Sequence, residues 1–87
     1  MKKNILIVDD NLTICLMLKS WLVKNNYNVE TTSSAQEAKQ MVKDFPFDLI
    51  LSDIRMPNVD GISFLNWAKK YDSDILVIMM TGYAEIE

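Results

Sequence analysis

The chain has 87 residues, is 49% hydrophobic and 24% charged, and carries a net charge of −3. That length allows one small domain, and the apolar fraction excludes a disordered segment. With no histidine and a single cysteine, Cys15, it excludes Ser–His and Cys–His nucleophile pairs, zinc sites built on histidine or clustered cysteines, histidine phosphorylation and intrachain disulfides.

The same composition narrows the setting. No apolar run approaches the ~20 residues that cross a bilayer. Lys2 and Lys3 lead straight into a short strand-like run and two aspartates, which is no signal peptide. The mild acidity argues against nucleic acid as a direct partner. These features predict a small, soluble, cytoplasmic domain whose chemistry rests on carboxylates.

Taken in order, Asn4 to Val8 is a β-branched apolar run ending at Asp9-Asp10, the pattern of a strand buried on both faces of a parallel sheet. Asn11 to Asn25 reads as a helix with only Thr13, Ser20 and Lys24 as a polar stripe. So wide an apolar arc predicts two packing neighbours. Tyr27 to Thr32 alternates and predicts an edge strand.

Ser34 and Glu37 form a capping box. The helix they open presents Ala35, Ala38, Met41, Val42 and Phe45 on one face and stops at Pro46. Leu49 to Leu51 is a third strand, ending at Ser52-Asp53, and Ile54 to Gly61 is loop chemistry. A helix from about Ile62 to Tyr71 follows, then a fourth buried strand, Ile75 to Met80, which ends at Thr81-Gly82.

Strands starting near residues 4, 27, 48 and 75 leave room for one helix in each gap. Consecutive strands are therefore expected to be parallel, with right-handed crossovers, in a doubly wound α/β sheet. Sites in such sheets form beyond the carboxyl ends of the strands. Asp9 and Asp10 stand there after the first strand, Asp53 after the third, and Thr81 with Gly82 after the fourth. The carboxylates converge if strands one and three are neighbours, as in the order 2-1-3-4, which also leaves the alternating second strand at an edge. Three close aspartates repel, and a hard cation such as Mg²⁺ relieves that repulsion with oxygen ligands.

Each element has a plainer reading. Asp10 or Asn11 serves as the cap of the first helix, and Asp60 as that of the third. Gly61 reads as a position of unusual backbone angles. The six methionines and two tryptophans read as core and interface filler.

In combination, ILIVDD, LILSDIRMPNVDG and ILVIMMTGYA, in that order and spacing, resemble the receiver domain of two-component response regulators across the whole of residues 1–87. The resemblance implies a flavodoxin-like fold and a phospho-accepting role, with a histidine kinase or histidine phosphotransfer protein as donor. By it Asp53 is the phospho-acceptor, Asp10 a direct Mg²⁺ ligand, and Asp9 the holder of a metal-bound water. The main-chain carbonyl of Arg55 completes the protein ligands, and the Thr81 hydroxyl is the switch group. Arg55 and Tyr83 occupy positions that flank the attacking water in this family, where bulk slows hydrolysis of the phosphoryl group.

The family fold has five βα units, and the sequence given stops after the fourth strand. The strand carrying the family's phosphate-pairing lysine lies outside it, and Lys2, Lys3, Lys69 and Lys70 do not stand where that lysine would. The expectation is a fragment, or the ordered part, of a longer receiver; if the 87 residues are all there is, they are expected to self-associate through the apolar fourth strand. Two other functions compete with phospho-acceptance. One is a receiver-like interaction module that is never phosphorylated. The other is an aspartate-nucleophile phosphohydrolase, whose D-x-D pattern would need a second carboxylate where Asn11 stands.

Overall fold

A computed structural model of the chain describes residues 2–53, 55–56 and 59–80. The elements run β1 (Asn4–Val8), α1 (Leu12–Lys24), β2 (Asn28–Thr32), α2 (Ala35–Asp44), β3 (Leu49–Asp53), β4 (Arg55–Met56), β5 (Val59–Asp60), α3 (Gly61–Tyr71) and β6 (Leu76–Met80). The four longer strands form one parallel sheet in the order β2-β1-β3-β6. This is the expected 2-1-3-4 order, with β6 as the fourth strand of the sheet.

Alternation along β1 divides the core into two layers. Leu6 and Val8 face α2 and α3, packing with Ala35, Ala38, Val42, Ile50, Phe64 and Ala68. Ile5 and Ile7 face the other way, onto Cys15 and Leu22 of α1 and Val29 of β2. All four apolar side chains of β1 are buried, so the continuous apolar run does reflect burial on both faces. The edge strand β2 buries only Val29 and Thr32.

Local chemistry sets the helix ends. The Asn11 side chain accepts from the Ile14 amide at 3.1 Å and caps α1, which settles the choice between Asp10 and Asn11. At the other end Asn26 takes a positive φ of 72°. The Asn26 amide then reaches the Val23 carbonyl and the Tyr27 amide the Leu22 carbonyl, both at 3.1 Å. This is a Schellman closure with asparagine where glycine is commonest.

The expected capping box on α2 forms by half. Ser34 Oγ accepts from the Glu37 amide at 3.1 Å. The Glu37 carboxylate, instead of returning to the Ser34 amide, accepts from the Thr32 hydroxyl. That hydroxyl oxygen in turn accepts from the Ser34 amide at 3.2 Å, so the freed donor is satisfied one step removed.

Three further expectations change in three dimensions. Phe45 leaves the apolar face of α2 because Pro46 forces the preceding residue to extended angles, here φ −145° and ψ 138°. Phe45 is largely exposed and Phe47 takes the buried position. The stretch after Asp53 contains a two-strand antiparallel pair, Arg55 with Asp60 and Met56 with Val59, rather than loop alone. Asp60 therefore closes β5 and Gly61 opens α3. Finally, α1 packs chiefly on β2 and β1 and leaves Leu12, Leu16, Met17, Trp21 and Val23 exposed. Its second expected neighbour is absent among the described residues, because no other described helix shares that face of the sheet.

Candidate functional site

The register between β1 and β3 builds the site. Val8 lies opposite Ser52, so Asp9 and Asp53 emerge together at the carboxyl ends of adjacent parallel strands. Asp10 follows at the turn into α1. One carboxylate oxygen from each of Asp9, Asp10 and Asp53 lies within 4.8 Å of the others. Asp9 and Asp53 are buried, at 3% and 1% exposure, while Asp10 is open to solvent.

Asp9 is the most constrained of the three. Its Oδ1 accepts from the Asn11 amide at 2.9 Å, and its own amide donates to the Thr32 carbonyl at 3.1 Å. The Cys15 thiol, one turn into α1, donates to the Asp9 carbonyl at 3.3 Å. Burial pushes the Asp9 carboxyl above its ordinary value; the Asn11 amide opposes this, while repulsion from Asp53 and Asp10 and a hydrogen bond with Asp53 add to it. Burial and the same aspartates, Asp9 then Asp10, push the Cys15 thiol up too, so Cys15 is a packed neutral thiol and no nucleophile.

A pocket of this kind is chemically unfinished. Buried like charges ionise together only when something positive joins them. The donors are all oxygens, the set that hard divalent cations take. Ser52 is fully buried beside Asp53, and its hydroxyl donates to the Asp53 carbonyl at 3.3 Å, so the end of β3 is held by side chain as well as by sheet.

Of the predicted site residues, the structure therefore brings Asp9, Asp10 and Asp53 together. The backbone of Arg55 lies in β4, immediately downstream. Thr81, Gly82 and Tyr83 lie outside the described residues, although Met80, next to Thr81 in sequence, pairs with Asp53. Sequence reasoning missed the part played by Cys15; its spacing of six residues from Asp9, on the inner face of a helix starting at the site, was the available signal. The D-x-D reading loses ground here, because the Asn11 side chain is engaged as a helix cap.

Comparison with known proteins agrees with this geometry. Residues 5–87 match the response regulator receiver domain, and the chain belongs to that family. It is 38% identical over 84 residues to the transcriptional regulatory protein ZraR of Escherichia coli K12, a match spanning 97% of this chain but 19% of ZraR. The chain thus spans about a fifth of the length of that curated relative. To the sporulation initiation phosphotransferase F of Bacillus subtilis 168 it is 36% identical over 87 residues, all of this chain and 70% of that one.

Among solved structures, the response regulator protein TrrA from Thermotoga maritima, in complex with Mg(2+)-BeF, superposes with a TM-score of 0.88 at 32% identity, covering 94% of this chain and 71% of that one. The fold is the flavodoxin-like receiver fold, and the class is that of two-component signalling domains. Among the described residues no helix is long and apolar enough to cross a membrane.

Proposed function

We propose that residues 1–87 act as a phosphoryl-accepting switch in a two-component relay, with Asp53 as the acceptor. The observation that carries this reading is the convergence of Asp9, Asp10 and Asp53 within 4.8 Å at the ends of two neighbouring parallel strands. An Asp53 carboxylate oxygen attacks the phosphorus of a phosphohistidine on a cytoplasmic histidine kinase or phosphotransfer protein. The P–N bond breaks, its electron pair leaves with the imidazole, and Asp53 becomes an acyl phosphate. This chain has no histidine, so the donor ring belongs to another protein. Catalysis of such a transfer is positioning and charge neutralisation, and the buried end of β3 supplies the positioning.

The residues suit Mg²⁺. Asp10, Asp53 and the main-chain carbonyl of Arg55 would hold it, with Asp9 behind them, fixed by the Asn11 amide. Bound there, the cation offsets the charge of the carboxylates and of the incoming phosphoryl oxygens. The phosphorylated side chain carries about two negative charges and strong acceptor oxygens. Thr81 follows the residue paired with Asp53, and its hydroxyl is the group those oxygens recruit to switch the domain. Arg55 and Tyr83, two residues beyond Asp53 and Thr81, slow the loss of the phosphoryl group by crowding water.

Intact mass spectrometry after incubation with Mg²⁺ and a small phosphodonor tests the reading. The chain gains the mass of one phosphoryl group, and Asp53→Asn does not. Absence of any gain, or an equal gain in Asp53→Asn, overturns it.

A further inference from the structure

Two cavities flank the edge strand β2, away from the aspartate site. The first, of about 280 Å³, lies between β2 and the end of α2 and is lined by Glu30, Met41, Asp44, Phe45 and Phe47. The second, of about 340 Å³, shares Glu30, Phe45 and Phe47 and continues to Val23, Tyr27 and Val29, with Lys2 among its walls. The Phe45 and Phe47 rings lie 5.0 Å apart, tilted by 60°, and Phe45 remains 46% exposed. The first cavity thus combines aromatic walls with two carboxylates and no cation. Gln40 Nε2 donates to both Asp44 oxygens, at 3.1 and 3.2 Å. Among the described residues nothing hydrogen-bonds to or ion-pairs with the Glu30 carboxylate.

The backbone of β2 is half engaged. The Asn28 amide donates inward to the Lys3 carbonyl at 2.9 Å, and the Thr32 carbonyl accepts from the Asp9 amide at 3.1 Å. By strand alternation Glu30 also turns its amide and carbonyl toward β1, and Val29 and Thr31 turn theirs outward. Among the described residues β2 pairs only with β1, so these outward groups can take a further strand. The side chains divide between the faces. Glu30 lies opposite Leu6, on the α2 face, while Val29 and Thr31 lie opposite Ile5 and Ile7, on the α1 face.

We propose that this edge binds an extended segment of a partner protein that carries an arginine between two apolar residues. The segment adds as a new outer strand beside β2, bonding to the outward groups of Val29 and Thr31. Its arginine stands opposite Glu30 and reaches into the first cavity, where Glu30 and Asp44 supply charge and Phe45 an aromatic face. Guanidinium suits the place because it pairs bidentately with a carboxylate and stacks on an aromatic ring. The apolar side chains on either side of the arginine fall on the other face, toward the cavity walled by Val23, Tyr27 and Val29.

Charge selects this occupant. A second copy of β2, paired about Glu30, sets two glutamates directly opposite each other, which opposes self-pairing. An acidic segment meets the same repulsion. An arginine in that position makes the pair one of opposite charge, and the aromatic wall adds a cation–π contact. Every residue of the site falls between Lys2 and Phe47, and β1 and β3 separate β2 from β6. The inference does not depend on the reading of the aspartate site.

Fluorescence anisotropy of a labelled peptide, Thr-Val-Arg-Val-Thr, titrated with the full chain provides the test, and hydrogen exchange locates the binding. The chain binds the peptide saturably below about 1 mM, and exchange of the Val29 and Thr31 amides slows. Glu30→Lys weakens binding by about tenfold or more. The same peptide with glutamate in place of arginine then binds Glu30→Lys, which only a folded chain produces. No saturable binding up to that concentration overturns the proposal. So does equal binding of the glutamate peptide by the native chain, its failure to bind Glu30→Lys, or undiminished binding of the arginine peptide by Glu30→Lys. Unchanged exchange at Val29 and Thr31, or free argininamide binding as tightly as the peptide, overturns the strand addition.

Discussion

Asp9 and Asp53 leave the sheet side by side because the residues just before them, Val8 and Ser52, are partners in the β1–β3 register. The chain between them, through α1, β2 and α2, only returns β3 to the side of β1; the strand pairing makes the contact. The pairing places two buried carboxylates against each other, and its electrostatic cost shapes the first three predictions.

Asp9 is held above its ordinary value of 3.8 by burial first, against the opposing Asn11 amide, with Asp53 and Asp10 adding to the rise. In the metal-free protein the folded state thus keeps a proton on Asp9 at a pH where the unfolded state has lost it. That contribution to stability is complete below the ordinary value and is lost as pH rises through the raised one. Urea unfolding in the presence of a chelator, compared between the native chain and Asp9→Asn, reads it. The native chain loses stability relative to the variant as pH rises from about 4 toward neutrality.

At neutral pH, Asp9→Asn keeps the acceptor for the Asn11 amide and removes one of the converging charges. The metal-free variant is expected to be more stable than the native chain by about 1 kcal/mol, the scale of one like-charge contact in a partly solvated pocket. Thermal unfolding of both proteins in chelator gives the comparison; a lower midpoint for the variant contradicts the electrostatic account.

Mg²⁺ acts in the same direction. A ligand that binds only the folded state stabilises by about 2.7 kcal/mol at a hundred times its dissociation constant. The melting temperature at neutral pH therefore rises with added Mg²⁺, and Asp10→Asn, which leaves the buried core untouched, flattens that rise. An identical response in Asp10→Asn removes Asp10 from the binding site.

Asn26 tests the end of α1. A left-handed residue with a Cβ costs roughly 1–2 kcal/mol, which asparagine mitigates and glycine avoids. Asn26→Gly is expected to match or exceed the native stability, and Asn26→Ala to lose about 1 kcal/mol. Equilibrium denaturation ranks the three.

Two aromatic positions test the packing. Phe64 is buried between the sheet and α2 and stacks on Trp67 at 6.2 Å; Phe64→Ala costs about 3–5 kcal/mol. Trp21 is mostly exposed on α1, and Trp21→Lys changes stability by less than about 0.5 kcal/mol. Urea midpoints for the two variants separate a core ring from a surface one.

Much of this was legible in the linear sequence, because hydrophobic periodicity reports burial directly. The apolar run of β1, the alternation of β2 and the stop at Pro46 each state a local preference that the fold obeys. The acidic residues after β1 and β3 and the family motifs around them marked the site before any geometry was known. Local chemistry was also enough to place the cap at Ser34 and to narrow that of α1 to Asp10 or Asn11, between which the structure chose Asn11. It was not enough to say where the Glu37 carboxylate would turn, since its partner Thr32 belongs to the preceding strand.

What tertiary structure alone decided is long-range. The β2-β1-β3-β6 order and the Val8–Ser52 register bring Asp9 and Asp53 together, and no periodicity within a segment encodes which strand lies beside it. The wide apolar arc of α1 announced a surface to be covered, yet only packing showed that α1 stands alone on its face among the described residues. β6, whose apolar run has the character of a central strand, is paired on one side only among the described residues, as the order 2-1-3-4 anticipated. Side-chain character specifies that a surface avoids water; the arrangement of neighbours decides whether, and by what, it is covered.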